Sequence, residues 1–189
     1  MKRLLIILIV LSQVFVSCKK MLDVNSTRLV SEENMWLSME DSRGALMGIY
    51  GLTKSALNDH NAHWLYGDVR SDEFSIPIRQ DLKAIANDLN ASFGVMNDLK
   101  SWRRWYAVVN AANIFLERIP EVKEKDERYT TNNMTVDIAQ ARFLRAFAYF
   151  YMVRIWGNVP LIVSSKEGTF TDQPREDQGK VLAWVEQEM

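Results

Sequence analysis

The chain has 189 residues and a formal charge of −1, because 23 lysines and arginines stand against 24 acidic residues. A balance this close to neutral gives no electrostatic sign of a nucleic-acid partner. The six tryptophans, six tyrosines and eight phenylalanines, beside only eight glycines and four prolines, favour a compact helical body over a disordered chain.

The first 18 residues have the layout of a secretory signal. A short basic start at residues 2–3 precedes a mostly apolar run over residues 4–16, and Cys18 follows a small residue. Cys18 is the chain's only cysteine, so it has no partner for an internal disulfide. We predict a lipoprotein signal peptide over residues 1–17 with the lipid attached to Cys18; an ordinary signal followed by an incidental free cysteine is the alternative.

Behind the signal, residues 18–29 are predicted to form an extended tether and residues 30–189 a helical domain. The domain begins with a short turn carrying Met35 and Trp36, for which Ser31 is a suitable N-cap. A helix is predicted next, over residues 40–57. Five of its side chains share one face at helical spacing: Leu46, Ile49, Tyr50, Thr53 and Leu57.

Three glycines lie within that first helix. Gly44, Gly48 and Gly51 each lower its intrinsic helicity by about 1 kcal/mol relative to alanine. Glycines spaced this closely predict that another helix approaches there.

Residues 58–95 are polar and mixed, with a possible short helix over residues 81–89. His60 and His63 lie in this region, three residues apart. A helical pair at that spacing offers two metal ligands, but no further ligand completes a zinc pattern. Solvated loop histidines are the favoured interpretation.

The next helix is predicted to begin at a cap formed by Asn97 or Asp98 and to end at Pro120, because the residue before a proline prefers extended backbone. A charged linker is then predicted over residues 121–133. Trp102 and Trp105 are interpreted as core residues of this helix.

The same helix carries two asparagines, Asn110 and Asn113, among apolar neighbours. A buried amide costs about 1–3 kcal/mol unless it is hydrogen-bonded. We therefore predict that Asn113 bonds to a neighbouring turn or to the following helix.

The most apolar element spans residues 138–156 and is apolar nearly all round. Such a helix is buried by other elements or by lipid, and the arginines at 142, 145 and 154 exclude lipid. Gly157 is a plausible helix stop, and residues 159–161 are expected to run extended and pack back on the helix. Arg142 and Arg145 are predicted to pair with acids such as Asp68 or Asp72.

A last helix is predicted to start near Asp177 and is still helical in pattern at Met189, which we interpret as the mark of a fragment. The helices over residues 102–119 and 135–156 predict an antiparallel pair of tetratricopeptide-like size. The fold class is therefore all-α, a scaffold of paired helices with irregular loops.

Several motifs carry a family resemblance. Residues 141–161 read ARFLRAFAYFYMVRIWGNVPL, and further matches are SCKKMLDV at 17–24, Met35-Trp36 followed by Asp41, Ala45, Gly48 and Tyr50, GDVRSDE at 67–73, and Trp105-Tyr106 with Asn113. In this order they resemble the N-terminal part of SusD/RagB-family outer-membrane lipoproteins. The resemblance implies a non-catalytic lipoprotein, anchored at the cell surface, that binds a glycan or other nutrient beside a TonB-dependent, SusC-like transporter.

Catalytic signatures are absent from the sequence. No G-x-S-x-G elbow, phosphate-binding glycine loop or distinguished carboxylate pair occurs, so neither an enzyme nor a cofactor is predicted.

A sugar site needs an aromatic ring beside planar polar groups. Residues 63–73 have that composition, so Trp64, Tyr66, Arg70 and Asp72 are the candidate ligand-binding residues. The alternative is that the two rings are core anchors and the charges a structural ion-pair cluster.

Three functions remain open from the sequence. The first is glycan capture for a transporter, the second is a tetratricopeptide-like adaptor that binds only protein, and the third is a fragment without independent function. The faces of the last two helices that lack partners in this chain predict marginal stability.

Overall fold

The computed structural model describes residues 35–58, 67–71, 73, 101–165 and 173–189. These residues contain four α-helices, α1 (Met39–Asn58), α2 (Arg103–Lys125), α3 (Thr131–Trp156) and α4 (Gln178–Glu188), and a 3-10 turn at Asp68–Arg70. In these ranges the only strand-like pairing is an isolated antiparallel bridge between Val159 and Glu176. The prediction of an all-α chain is confirmed.

Helix α1 begins with reciprocal hydrogen bonds between two polar residues. The Asp41 backbone N–H donates to the Ser38 hydroxyl at 3.2 Å, and the Asp41 carboxylate accepts from the Ser38 backbone N–H at 2.9 Å. This pairing satisfies groups that a helix start leaves without intrahelical partners. The predicted face is buried at Leu46, Ile49 and Thr53, whereas Tyr50 is exposed.

Among the described residues the glycine-rich side of α1 faces away from the other helices, so the predicted close approach is not found there. A Cβ atom added at Gly44, Gly48 or Gly51 would find nothing within 4 Å. All three glycines are exposed, so packing among the described helices does not require them.

Helix α2 continues through Pro120 to Lys125, so the predicted stop at Pro120 and the linker at 121–133 were wrong. Proline removes one backbone hydrogen bond. Ile119 and Val122, on either side of it, are both completely buried. Burial of that face outweighs the missing bond. The predicted start of α2 at Asn97 or Asp98 was also wrong, because the helix begins at Arg103, directly after Trp102.

Helices α2 and α3 form an antiparallel hairpin. Near the open end Trp105 stacks on Tyr151 with ring centroids 4.4 Å apart, and Tyr106 meets Tyr149 edge to face at 6.3 Å. Helix α1 packs mainly against α2, and α4 packs against α3. This is the helix-pair arrangement predicted from the sequence.

The hairpin loop, residues 126–130, is short and anchored at both ends. Tyr129 is fully buried and its hydroxyl donates to the Asp137 carboxylate at 2.7 Å. Asp126 accepts from the Met39 backbone N–H at 3.0 Å and from the Arg128 guanidinium at 3.0 Å. The loop therefore holds the start of α1 as well as joining α2 to α3.

Helix α3 ends at Gly157, whose φ of +68° is the conformation that favours glycine. The chain then runs extended and packs back on α3, as predicted. The Tyr149 hydroxyl accepts from the Ile162 backbone N–H at 2.7 Å and donates to the Ile162 carbonyl at 3.0 Å. A single side chain thus satisfies both backbone groups of a buried residue.

Helix α4 is capped by Asp177, whose carboxylate accepts from the Gly179 backbone N–H at 2.9 Å. Val181 and Val185 are its buried residues. The predicted start near Asp177 is confirmed. Within the described ranges, no helix is long and apolar enough to cross a bilayer.

Candidate functional site

Most site residues predicted from the sequence lie outside the described residues. This holds for Cys18, for Trp64, Tyr66 and Asp72, for His60 and His63, and for the side chain of Arg70. The backbone of Arg70 lies in the 3-10 turn, where the neighbouring Val69 is buried. The predicted ligand-binding segment therefore stays a prediction.

A cleft of about 540 Å³ lies beside the start of α2. One wall comes from Trp102, Tyr106 and Asn110, which follow each other at helical spacing of four residues. The extended segment contributes Pro160 and Ile162, and the stretch before α4 contributes Gln173 and Arg175. The volume lies within the range of about 300–1,000 Å³ found for small-ligand sites.

The indole of Trp102 is the centre of an aromatic cluster at the cleft. Its ring centroid lies 6.0 Å from that of Tyr106 and 6.3 Å from that of Trp156, both edge to face. The Arg175 guanidinium carbon lies 5.0 Å from the Trp102 ring centroid, a cation–π contact. Trp102 is half-buried and lines the cleft, whereas Trp105 is a core residue as predicted.

Tyr106 forms a fixed part of the cleft wall. Its hydroxyl donates to the Pro160 carbonyl at 2.5 Å, which ties α2 to the extended segment. Burial is the main cause that raises the pKa of Tyr106 far above its usual range, and the nearby Tyr149 adds to the effect. The hydroxyl therefore stays a neutral donor at any physiological pH.

Four polar side chains of the cleft keep free hydrogen-bonding capacity within the described part of the chain. They are Arg103, Asn110, Gln173 and Arg175. None of the four makes a side-chain hydrogen bond or an ion pair with another described residue. Guanidinium and amide groups beside an indole are the chemistry that binds planar or hydroxylated ligands.

A second polar cluster lies nearby and is buried. We call it the polar network, formed by Asn113, Arg145 and Glu188. The Asn113 amide oxygen accepts from Arg145 at 2.7 Å, and the Asn113 amide nitrogen donates to the Ile162 carbonyl at 3.3 Å. Arg145 also pairs with Glu188, and the Trp184 ring lies 5.2 Å from its guanidinium carbon. The predicted role of Asn113 is confirmed.

The predicted acidic partners of the two helix arginines were wrong where the structure describes them. Arg142 and Arg145 both pair with Glu188, Arg142 at 3.1 Å. Asp68 is exposed and makes no ion pair with the described residues, and Asp72 lies outside them. Glu188 is 43 residues from Arg145, so only the docking of α4 brings them together.

Metal binding finds no support in the described ranges, where no three His, Cys, Asp or Glu side chains cluster. In the polar network the buried Arg145 is already paired with Glu188 and bonded to Asn113. The cleft is therefore the candidate site.

Comparison with known proteins identifies the family to which this fold belongs. A family model described as SusD-like, "Starch-binding associating with outer membrane", matches residues 20–183. The chain belongs to the SusD-like family. Among curated relatives, a SusD-like protein of Formosa agariphila is 32% identical over 177 residues, which cover 89% of this chain and 32% of that protein.

Solved structures of SusD-like proteins share the architecture. A SusD superfamily protein of Bacteroides thetaiotaomicron is 49% identical with a TM-score of 0.78, over 82% of this chain and 34% of the other. A SusD-like carbohydrate-binding protein of Bacteroides fragilis, 21% identical with a TM-score of 0.56 over 81% of this chain and 30% of the other, supports the fold alone. The chain spans about a third of the length of these relatives.

Sequence reasoning missed the cleft. Trp102 was interpreted as a core residue, and Gln173 and Arg175 belong to a stretch 71 to 73 residues further along the chain. The available signal was Asn110, a polar residue that continues the Trp102–Tyr106 face of α2.

Proposed function

We propose that this SusD-like chain belongs to a non-catalytic glycan-binding lipoprotein of the outer membrane, which delivers its ligand to a TonB-dependent, SusC-like transporter. The family description, starch binding with outer-membrane association, supports the ligand class and the location. The observation on this chain that carries the proposal is the cleft, where an indole, two guanidiniums and two amides meet.

The paired helices supply rigidity for such a site. Asn110 projects from α2, Trp102 directly precedes this helix, and α2 is packed on α1 and α3. Tyr106 holds the extended segment of the cleft through Pro160. Side chains held by packed helices lose little conformational entropy when a ligand binds. In this proposal Trp64, Tyr66, Arg70 and Asp72 form a second ligand-contacting segment.

Calorimetry of the full chain, purified in detergent and titrated with soluble starch and a panel of other polysaccharides, tests this proposal. We expect heat from at least one glycan, lost in Trp102→Ala. Phe143→Ala is the matched control, because Phe143 is 49% exposed and lies outside the cleft. Absence of heat from every glycan, or equal losses in both variants, would contradict glycan binding at the cleft.

Anchoring is tested separately. If Cys18 carries the lipid, the parent chain incorporates labelled palmitate when it is expressed in a bacterium that makes SusD-like lipoproteins, and the Cys18→Ser variant does not. Equal labelling of the two would exclude lipidation at Cys18. Copurification of a TonB-dependent transporter with the parent chain tests the proposed partner.

A protein-binding adaptor is the second candidate, and one observation favours it. Helices α1 and α3 expose large apolar side chains, with Met47 57%, Val136 50% and Phe143 49% exposed. Exposed apolar patches mark surfaces that bind other proteins. Protein partners recovered from the membrane, with no heat from any glycan, would favour the adaptor.

A further inference from the structure

Charge distinguishes the cleft from a generic sugar site. Two of its lining residues, Arg103 and Arg175, are cations, and no carboxylate is found among the described residues that line it. The hydroxyl groups of a neutral sugar need both hydrogen-bond donors and acceptors as partners, whereas guanidinium groups only donate. The described lining therefore offers an excess of donors and of positive charge.

Three carboxylates of the neighbouring elements are already engaged. Glu176 pairs with Lys180 at 3.0 Å, Glu188 pairs with the arginines of α3, and Glu117 accepts from the Ser165 backbone N–H at 2.8 Å. Neither Arg103 nor Arg175 has an acidic partner among the described residues. An anion for these guanidiniums would therefore come from the ligand.

Arg175 is oriented before any ligand arrives. Its guanidinium lies over Trp102, and Trp102 is itself held edge to face by Tyr106 and Trp156. The N–H groups of a guanidinium lie in one plane and match the two oxygens of a carboxylate or a sulfate. The contact with Trp102 restricts Arg175 and so reduces the entropy lost when its guanidinium binds an anion.

We infer that the cleft binds an acidic saccharide, whose carboxylate or sulfate is held by Arg175 and Arg103. The inference rests on the proposed function, since it names the class of glycan for the same site. Asn110 and Gln173 then bind the hydroxyl groups beside the anion, and Trp102 supplies the apolar surface.

Calorimetry with matched saccharides tests this inference. The full chain in detergent is titrated with trigalacturonate, its methyl ester, a sulfated galacto-oligosaccharide and neutral galactotriose. We expect at least one acidic sugar to bind about tenfold or more tightly than its neutral counterpart, with an affinity that falls as salt rises. The trigalacturonate and sulfated arms distinguish a carboxylate from a sulfate.

Three arginine variants assign the effect to the cleft. Arg175→Gln and Arg103→Gln are each expected to weaken the acidic sugar by about tenfold to a hundredfold, the effect of losing a charged hydrogen bond. Arg154→Gln is the matched control, because Arg154 also lies over an aromatic ring, 5.4 Å from Phe150, but outside the cleft. It is expected to leave the affinity unchanged, and circular dichroism checks that all three variants fold.

The possible failures are distinguishable. Neutral sugars that bind as tightly as acidic ones, or equal losses in Arg154→Gln and Arg175→Gln, would overturn the preference for acidic ligands and leave glycan binding intact. Absence of binding by every saccharide in the wider panel would overturn the proposed function and this inference together.

Discussion

Asn110 and Asn113 lie one turn apart on α2 and have opposite surroundings. Asn113 is 1% exposed and uses both ends of its amide, one toward Arg145 and one toward Ile162. Asn110 is half-buried, lines the cleft and makes no side-chain hydrogen bond within the described residues. The comparison teaches that a buried amide with both ends bonded holds elements together, whereas an amide without partners at a surface remains available to a ligand.

Loss of the Glu188 carboxylate, the anion of the polar network, is expected to have the largest effect on stability. Glu188→Gln leaves the buried Arg145 guanidinium without a charged partner, and loss of one member of a buried pair costs about 3–5 kcal/mol. Urea unfolding of the full chain measures the change. Glu186→Gln, an exposed acid on the same helix, is the control and should change stability by less than about 0.5 kcal/mol. Similar results for the two variants would show that the network contributes little.

The two asparagines provide the direct test of the comparison. Asn113→Ala removes the partner of Arg145 and of the Ile162 carbonyl and is expected to cost about 1–3 kcal/mol of unfolding free energy. Asn110→Ala is expected to stay within about 0.5 kcal/mol while weakening any saccharide bound in the cleft. If Asn110→Ala destabilises as much as Asn113→Ala, the cleft is a structural cluster.

The cleft and the polar network both include residues of the extended segment. The conformation of Gly157, where this segment begins, therefore affects the structure of both. Gly157→Ala places a side chain at a φ of +68°, which is expected to cost about 1–2 kcal/mol. The added Cβ would be 3.7 Å from Gln178, an ordinary contact, so the cost comes from the backbone. Gly48→Ala, on the open face of α1, is expected instead to raise stability by up to about 1 kcal/mol. A thermal melt of both variants that gave shifts of the same sign would contradict this assignment.

The smallest expected effect on stability comes from the ion pair of Asp126 and Arg128 in the hairpin loop, and it appears only at low pH. The Arg128 side chain, and then the Met39 backbone N–H, lower the pKa of Asp126 from 3.8 to about 2. Because the folded chain holds this carboxylate ionised, its contribution is fully present above about pH 4 to 5. That contribution is lost as the pH falls from about 4 toward 2.

Asp126→Asn removes this titration. Urea unfolding at several pH values is expected to show a shallower loss of stability below about pH 4 in the variant than in the parent chain. Curves of equal slope would show that Asp126 is not responsible for the acid sensitivity of the loop.

Local pattern was sufficient to predict most helices, because their signals lie within a few turns. The spacing of buried residues predicts α1 to within a residue at each end, and Asp177 marks the start of α4. Gly157 likewise ends α3 as expected. Each of these features depends on neighbours in sequence.

The features that sequence reasoning missed depend on distant partners. Pro120 lies inside α2 because tertiary packing buries Ile119 and Val122 on either side of it, which a local rule for proline does not include. Glu188 meets Arg145, and Arg175 meets Trp102, only after α4 and the stretch before it have docked. The cleft therefore belongs to the tertiary fold and has no contiguous motif.

The double hydrogen bond between Tyr149 and Ile162 has a consequence for amide exchange with solvent. Ile162 belongs to no helix or sheet, yet its N–H is bonded to a buried hydroxyl. In deuterium this proton is expected to be retained as long as those of α3, whereas Tyr149→Phe would let it exchange quickly. Slow exchange in the parent chain would show that the extended segment, which forms one wall of the cleft, opens to solvent as rarely as α3.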